Sequence, residues 1–322
     1  MTLFPLFDQD DRPPQAERLA PRLRALADQG VFFGTSSWKY EGWLGSIYSR
    51  ERYLTRGRFS KKKFEEECLA EFVETFPIVC GDFSFYQFPK PEYWARLFGE
   101  TPMSFLFALK VPEDLTAARW PGHARYGTRA GLENESFLNA EVFRDHFARP
   151  LMPYAARVAT LIFEFGTFAR STFARPEDFL ARLEPFLEAL PTEFRYCVEI
   201  RNSDYLRPDY LALLASKGVA HVLNGWTRMP EIGAQIELPG VFTTDFSVVR
   251  AQLIKGRTFE EGVKLFEPYG LAQEPNEPAR DALRQVAEHS RQAGRRAYIF
   301  VSNRLEGNSP STIEAVVEHL KS

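Results

Sequence analysis

Cysteine is scarce in this 322-residue chain: Cys68, Cys80 and Cys197 make an odd number without metal-ligand spacing. That excludes a disulfide-built secreted scaffold and predicts reduced thiols in a cytoplasmic protein. Long apolar runs are also missing. No uninterrupted stretch reaches the ~18 residues of a membrane-crossing helix, and Met1 to Asp11 has no basic region before its short apolar stretch. The expectation is a soluble protein with no membrane partner. Nor is there an excess of one charge: 40 Lys and Arg face 43 Asp and Glu, a net charge of −3. Attraction to nucleic acid would have to come from a local patch rather than a global field. A Gly-rich dinucleotide turn is lacking as well. Of the five histidines only His221 falls on a predicted strand, sharing a face with Leu223, which reads as a satisfied core histidine.

What remains is ordinary globular material with an aromatic surplus. Hydrophobic residues at 44% and charged residues at 26% exclude a disordered or collagen-like chain, and 29 Phe predict a heavily aromatic core. Such a length allows two domains of about 150 residues or one α/β barrel of ~250. Periodicity favours the barrel. Short apolar runs at 31–36, 78–85, 104–111, 158–165, 195–201, 219–225, 246–252 and 296–303 read as strands. Between them, helical spacing marks 61–75, 91–98, 136–148, 176–190, 208–216, 275–293 and 310–320, several opening on proline. Residues 227–240 show no clear helix and predict an irregular crossover. Before the first strand lie a polar arm, 8–14, and one extra helix, 15–29. Strands alternating with helices imply parallel pairing, so the predicted fold is α/β, a single-domain (β/α)8 TIM barrel over 31–322 preceded by an arm and extra helix over 1–30.

In such a barrel the helix-facing side of each strand must be apolar, and inward residues near the strand C-termini face the mouth where barrel chemistry resides. Alternation places Tyr196, Val198 and Ile200 outward and Cys197, Glu199 and Arg201 inward. It likewise places Val79, Phe83 and Phe85 outward, with Cys80, Asp82 and Ser84 inward. Leu161, Phe163 and Phe165 face out and Glu164 in; Phe105, Phe107 and Leu109 face out, with Lys110 closing the inward row. Four consecutive strands thus end in inward charges. Uncompensated buried charge costs several kcal/mol, which favours a functional pocket over scaffolding, the competing reading being a mutually neutralising network of Glu199, Arg201 and Lys110. On strand seven, Asp245 and Arg250 have opposite parity; Arg250, nearer the C-terminal end, is the stronger candidate.

These residues support acid–base catalysis on a small anionic ligand. Glu199 or Glu164 would be the base, with Asp82 a further carboxylate, Lys110 the electrostatic partner, and Arg201 and Arg250 the anion holders. Asn224, Asn303 and the turn Gly307, Asn308, Ser309 are candidate ligand contacts. The turn leads into a helix whose free amides would suit a phosphate, against the plainer reading of capping by Ser309. Trp38, Tyr40, Tyr86 and Trp226 lie at or just after strand ends, as a stacking wall for a ring or as packing residues. A glycosidase pair of Glu164 and Glu199 is disfavoured because strand seven has no Glu. A metal site is disfavoured by the lack of His ligands; no metal is expected, and no cofactor or oligomeric state is specified.

A second function class rests on residues 50–63. Arg50, Arg52, Arg56, Arg58, Lys61, Lys62 and Lys63 are interleaved with Tyr53 and Phe59, as in nucleic-acid or polyanion binding. Seven cations cannot be buried without partners, so the segment is expected to be exposed beside the mouth. The order Lys61, Lys62, Lys63 before Glu65, Glu66, Glu67 is the less favourable one for a helix dipole.

The run Gly34-Thr35-Ser36-Ser37-Trp38-Lys39-Tyr40, followed by Trp43, Gly45 and Tyr48, resembles the opening signature of the YecE-like family (domain of unknown function 72). So, in order, do Phe85-Tyr86 with Pro89, Phe105 to Pro112, Glu199-Ile200-Arg201-Asn202, Asp245-Phe246 with Val249-Arg250, and Asn303 with Gly307. The resemblance runs from about Val31 to Leu320 and implies a TIM barrel with no assigned reaction. Departures fall at the candidate site. The family's Val-Glu-Ile-Asn-Ser-Thr-Phe-Tyr is here Val79-Cys80-Gly81-Asp82-Phe83-Ser84-Phe85-Tyr86. Its Phe-Gln-Leu-Pro-Pro is Phe163-Glu164-Phe165-Gly166-Thr167, and its His after Arg is Asn202. The expected function is binding, with possible acid–base turnover, of a small anionic or phosphorylated sugar- or nucleotide-like ligand at the mouth.

Overall fold

The structure is a computed structural model that describes residues 12–320. Eight parallel strands close into a barrel: β1 (Val31–Thr35), β2 (Ile78–Gly81), β3 (Leu106–Lys110), β4 (Val158–Glu164), β5 (Tyr196–Glu199), β6 (Ala220–Asn224), β7 (Phe246–Ala251) and β8 (Arg296–Val301). Closure comes from β1, which pairs with β8 over its whole length and with β2 through Thr35 and Val79. At that seam Gly34 is obligatory, because a Cβ there would stand 2.3 Å from the Ile78 carbonyl oxygen.

Two apolar layers hold the barrel. Inside, Phe246, Tyr298 and Phe300 on β7 and β8 fill space left by small residues across the lumen, Cys80, Ala108, Cys197 and Ala220. Outside, Phe105, Phe107, Phe163, Phe165 and Val198 meet the helices, as the alternation predicts. The Phe surplus lies largely in this outer layer, where Phe186 packs edge to face with both Phe143 and Phe163.

The surrounding helices include α1 (Pro14–Asp28), α2 (Lys61–Thr75), α3 (Pro91–Gly99), α4 (Pro176–Glu188), α5 (Pro208–Ser216), α6 (Ile232–Ile236), α7 (Phe259–Phe266), α8 (Glu277–Gln292) and α9 (Ser309–Val317). The extra helix α1 buries Leu19, Leu23 and Leu26 and ties to α9 through Arg18 and Glu314, 2.8 Å apart. Of the arm expected at 8–14, residues 8–11 lie outside the described residues. The helix expected at 136–148 is Ala140–Phe143 running through a π turn, Arg144–Ala148, into Arg149–Leu151.

Three local expectations are corrected. The crossover over 227–240 contains a helical turn, α6, whose Gln235 side chain bonds both backbone groups of Asn224, a tertiary anchor that no periodicity reports. Helix α7 was not expected, although Thr258 and Glu261 form a capping box that its sequence displays. Strand β2 stops at Gly81 rather than continuing to 85, because the chain turns through a Phe85 N–H bond to the Asp82 carbonyl. Phe83 still packs outward on Trp38 and Trp94, but Phe85 swings to the mouth, 4.4 Å from Lys110 Nζ.

Candidate functional site

The inward parity continues past the apolar lumen to the C-terminal strand ends, and there the residues change character. Beyond Cys80 comes Asp82, beyond Ala108 Lys110, beyond Ile162 Glu164, beyond Cys197 Glu199 and Arg201, beyond Val222 Asn224, and beyond Val248 Arg250. Register keeps them level: Glu164 pairs with Glu199 and Asn224 with Arg250.

Six of these side chains form one ion-pair network. Lys110 Nζ lies 3.0 Å from Asp82 and 2.9 Å from Glu164. Arg201 reaches Glu164 at 2.8 Å and Glu199 at 3.0 Å. Arg250 donates through Nη1 to Glu164 at 2.5 Å and also to Glu199. Three cations thus meet three carboxylates, with Glu199 and Arg250 sealed from solvent and Asp82, at 44% exposure, on the rim.

Burial by itself raises the pKa of Glu164, but Arg201, Lys110 and Arg250 outweigh it and hold the carboxyl well below the usual carboxylate range. For Lys110, burial favours the neutral amine, and Asp82 and Glu164 override it, so its pKa is raised. Glu164 is therefore a carboxylate throughout the neutral range and cannot serve there as a general acid.

The structure places the other candidates as follows. Arg250, expected as a forked anion holder, is turned inward; its Nη1 is committed to two carboxylates and its buried Nε has no partner among the described residues. Asn224 donates from Nδ2 to the Ile200 and Val222 carbonyls, which fixes its orientation and leaves Oδ1 buried without a donor among the described residues. Trp226 lies under Arg201, whose guanidinium carbon is 3.5 Å from the ring centroid. Tyr40 packs against Trp43 and Tyr269, with burial and then nearby Arg304 and Asp82 acting on its hydroxyl, burial raising its pKa. Tyr86 is 54% exposed and carries Arg125 over its face. Trp38 is buried against Phe83, a packing residue.

The turn after β8 is not brought to the network. Ser309 bonds Asn303 Oδ1 through both its N–H, at 2.8 Å, and its hydroxyl, and Asn308 rather than Ser309 caps α9 by accepting from Ser311 N–H. Gly307 closes a left-handed turn at φ 111°, where a Cβ would stand 2.6 Å from the Leu271 carbonyl oxygen. These residues are buried, and the Gly307 and Ser309 amides expected for a phosphate are already taken by Asn303, whose own Nδ2 is buried without a partner among the described residues.

Two neighbours escaped the sequence reading. Ser36 follows Phe32 and Gly34 on the inward parity of β1, and Gln252 follows Arg250 just beyond the end of β7; each holds a buried oxygen, Oγ and Oε1, without a partner among the described residues. Parity would have found both, but attention to charge passed over them. An unpartnered buried polar atom costs about 1–3 kcal/mol, so Ser36, Asn224 and Gln252 leave unmet hydrogen-bonding capacity around the charged network.

His221 is on the outer face, its Nδ1 3.2 Å from the Tyr210 hydroxyl, and burial pushes its pKa down to about 4. Among the described residues no group of His, Cys, Asp and Glu is disposed to hold a metal, and no helix is long and apolar enough to cross a membrane. Residues 50–63 are mostly exposed: a turn at Arg50–Tyr53, a hairpin pairing Leu54–Thr55 with Arg58–Phe59, then the start of α2. Each lysine there has an i,i+4 glutamate at 3.9–4.0 Å, which offsets the unfavourable dipole order.

The model of a family described as a protein of unknown function, DUF72, matches residues 32–322. Among solved structures, a DUF72 family protein of Thermotoga maritima MSB8 is similar at 20% identity and a TM-score of 0.57, covering 89% of this chain and 98% of that one. One from Enterococcus faecalis V583 is similar at 12% identity and the same TM-score of 0.57, covering 91% and 97%. At such identities the likeness shows the fold alone. No curated protein matches the chain.

Proposed function

This chain belongs to the DUF72 family, whose function is unknown, and we propose that its barrel mouth binds a small anionic ligand, phosphorylated and sugar- or nucleotide-like. The observation that carries this reading is the gradation of the ion-pair network. Glu199 and Arg250 are sealed, whereas Arg201, 12% exposed, and Asp82 stand at the rim. Arg201 uses Nε and Nη2 on carboxylates, and no bond from the described residues occupies Nη1. An incoming anion takes that donor and displaces the half-exposed carboxylate of Asp82 from Lys110, exchanging one counter-ion for another. Trp226 beneath Arg201 and the exposed ring of Tyr86 offer a flat apolar edge to the ligand, while Ser36, Asn224 and Gln252 supply hydrogen-bonding capacity deeper in. Arg250 positions Glu164 and Glu199 rather than touching the ligand. Any proton transfer at this mouth has to begin from an ionised Glu164, as base and not as acid.

The test is calorimetric titration of the protein with inorganic phosphate, ethyl phosphate, sugar phosphates and nucleotides. Arg201→Ala should weaken binding roughly ten- to hundredfold, as loss of a charge-assisted hydrogen bond predicts. Asp82→Asn should strengthen it roughly two- to fivefold, because the competing exposed carboxylate is gone. No phosphate binding by the wild type, or weaker binding by Asp82→Asn, refutes the reading.

Polyanion binding by residues 50–63 is the second reading, favoured by one observation: Arg56 and Arg58, exposed at the hairpin, form no ion pair among the described residues. The paired lysines weigh against it. Binding to single strands that falls steeply with salt would move the function here.

A further inference from the structure

Beside the mouth, the loops after β4, β5 and β6 enclose a cleft of about 520 Å³ that the network does not include. Its apolar wall is aromatic, formed by half-buried Phe168 with buried Phe173 and Tyr205. Its polar side is dominated by arginine: Arg170, Arg175, Arg207 and Arg228 face only Glu177 and Asp204. Two of these cations are already engaged, Arg175 with Asp178 and Arg207 with Glu177 and Asp209. Arg170 and Arg228 are exposed and form no ion pair among the described residues. Helices α4 and α5 both begin at the cleft, at Pro176 and just after Arg207, so their positive ends add to the same field.

The cleft is also joined to the mouth by backbone. Thr167 Oγ1 donates to the Arg201 carbonyl, and Asn202, the residue after Arg201, bonds both backbone groups of Phe168. Arg228 lies two residues beyond Trp226, on which Arg201 rests. A second cationic surface therefore stands on the loops that carry the first.

We propose that this cleft is a second anion subsite, held by Arg170 and Arg228, and that the ligand of the mouth is bis-anionic, with one charged group at each place. The proposal rests on the reading of the mouth as an anion site. Two anchored groups on one ligand raise affinity through effective concentration only when the spacer fits the distance between the sites. A ligand with one anionic group gains nothing from the cleft.

The experiment titrates the full chain with ethyl phosphate and with a series of α,ω-alkanediol bisphosphates of increasing length, at fixed moderate salt. Wild type should show an affinity maximum at one spacer length, at least about tenfold above ethyl phosphate. The double variant Arg170→Ala/Arg228→Ala should lose that maximum while still binding ethyl phosphate as wild type does. Both side chains are exposed and unpaired, so folding is expected to be unaffected, checked by circular dichroism. A flat length series in wild type, or a maximum that persists in the double variant, overturns the subsite and leaves the mouth reading standing. Failure of wild type to bind ethyl phosphate or any bisphosphate overturns both. Binding of a single-stranded oligonucleotide that depends on Arg170 and Arg228 while bisphosphates give no maximum assigns the cleft to nucleic acid and overturns the bis-anion proposal.

Discussion

The mouth and the basic segment 50–63 are both conspicuous for charge, and the structure uses the charges in opposite ways. At the mouth, Lys110, Arg201 and Arg250 are held by Asp82, Glu164 and Glu199 with most of the group removed from water. In the segment, Lys61, Lys62 and Lys63 meet glutamates one turn away at the surface, the lysine side chains 68%, 84% and 35% exposed. The first arrangement cannot lose one of its sealed members, Glu199 or Arg250, without stranding a buried charge; the second can lose several without consequence. Counting charges in a sequence does not separate these cases, because the value of an ion pair is set by its desolvation.

The largest effect expected from this contrast is at Arg250. Replacing it with Ala leaves Glu164 and Glu199 with only one of the two guanidinium groups they share, Arg201, and unfolding free energy should fall by about 3–5 kcal/mol, measured by denaturant titration. Arg250→Lys should recover part of it, since the shorter ammonium side chain keeps the charge but not the length and planar shape of the guanidinium. A loss near zero would mean the network is solvated like the segment, and the contrast would collapse.

Acid provides a second separation. The Glu164 pKa is depressed in the fold, so its contribution to stability is complete above the unfolded carboxyl value of about 4.3 and disappears as pH falls through the folded value. Wild-type denaturation midpoints should therefore drop steeply below about pH 4, and Glu164→Gln should flatten that slope. Lys110 behaves oppositely: its pKa is raised, so its contribution persists below about 10.4 and is lost as pH climbs through the folded value. Equal slopes for wild type and Glu164→Gln below pH 4 would show that the mouth's cations do not hold this carboxylate.

The smallest effect sharpens the other side. The triple variant Lys61→Ala/Lys62→Ala/Lys63→Ala should keep the wild-type denaturation midpoint and the wild-type affinity for ethyl phosphate. A marked loss of stability would show that these exposed pairs are coupled to the packing of α2.

The sequence by itself determined the barrel: eight apolar runs separated by amphipathic stretches leave parallel strands behind helices as the economical solution, and the alternation within each run sorts outer Phe and Leu from the lumen. It also determined that Asp82, Lys110, Glu164, Glu199, Arg201 and Arg250 would share one end, because parity and the C-terminal strand position fix direction and height. Only the tertiary structure decided what each does there. Arg250 was legible as inward but not as spent on two carboxylates, since β4, β5 and β7 lie far apart in the chain and no periodicity states which side chain reaches which. The turn Gly307 to Ser309 had the composition of an anion site, yet Asn303, folding back over it, takes its donors. Gln235, from a helical turn with no sequence signature, anchors Asn224 at the end of β6. Periodicity is a local property and survives in sequence. Pairing and burial depend on the three-dimensional distance between remote segments, and these set the energies that distinguish a binding group from a structural one.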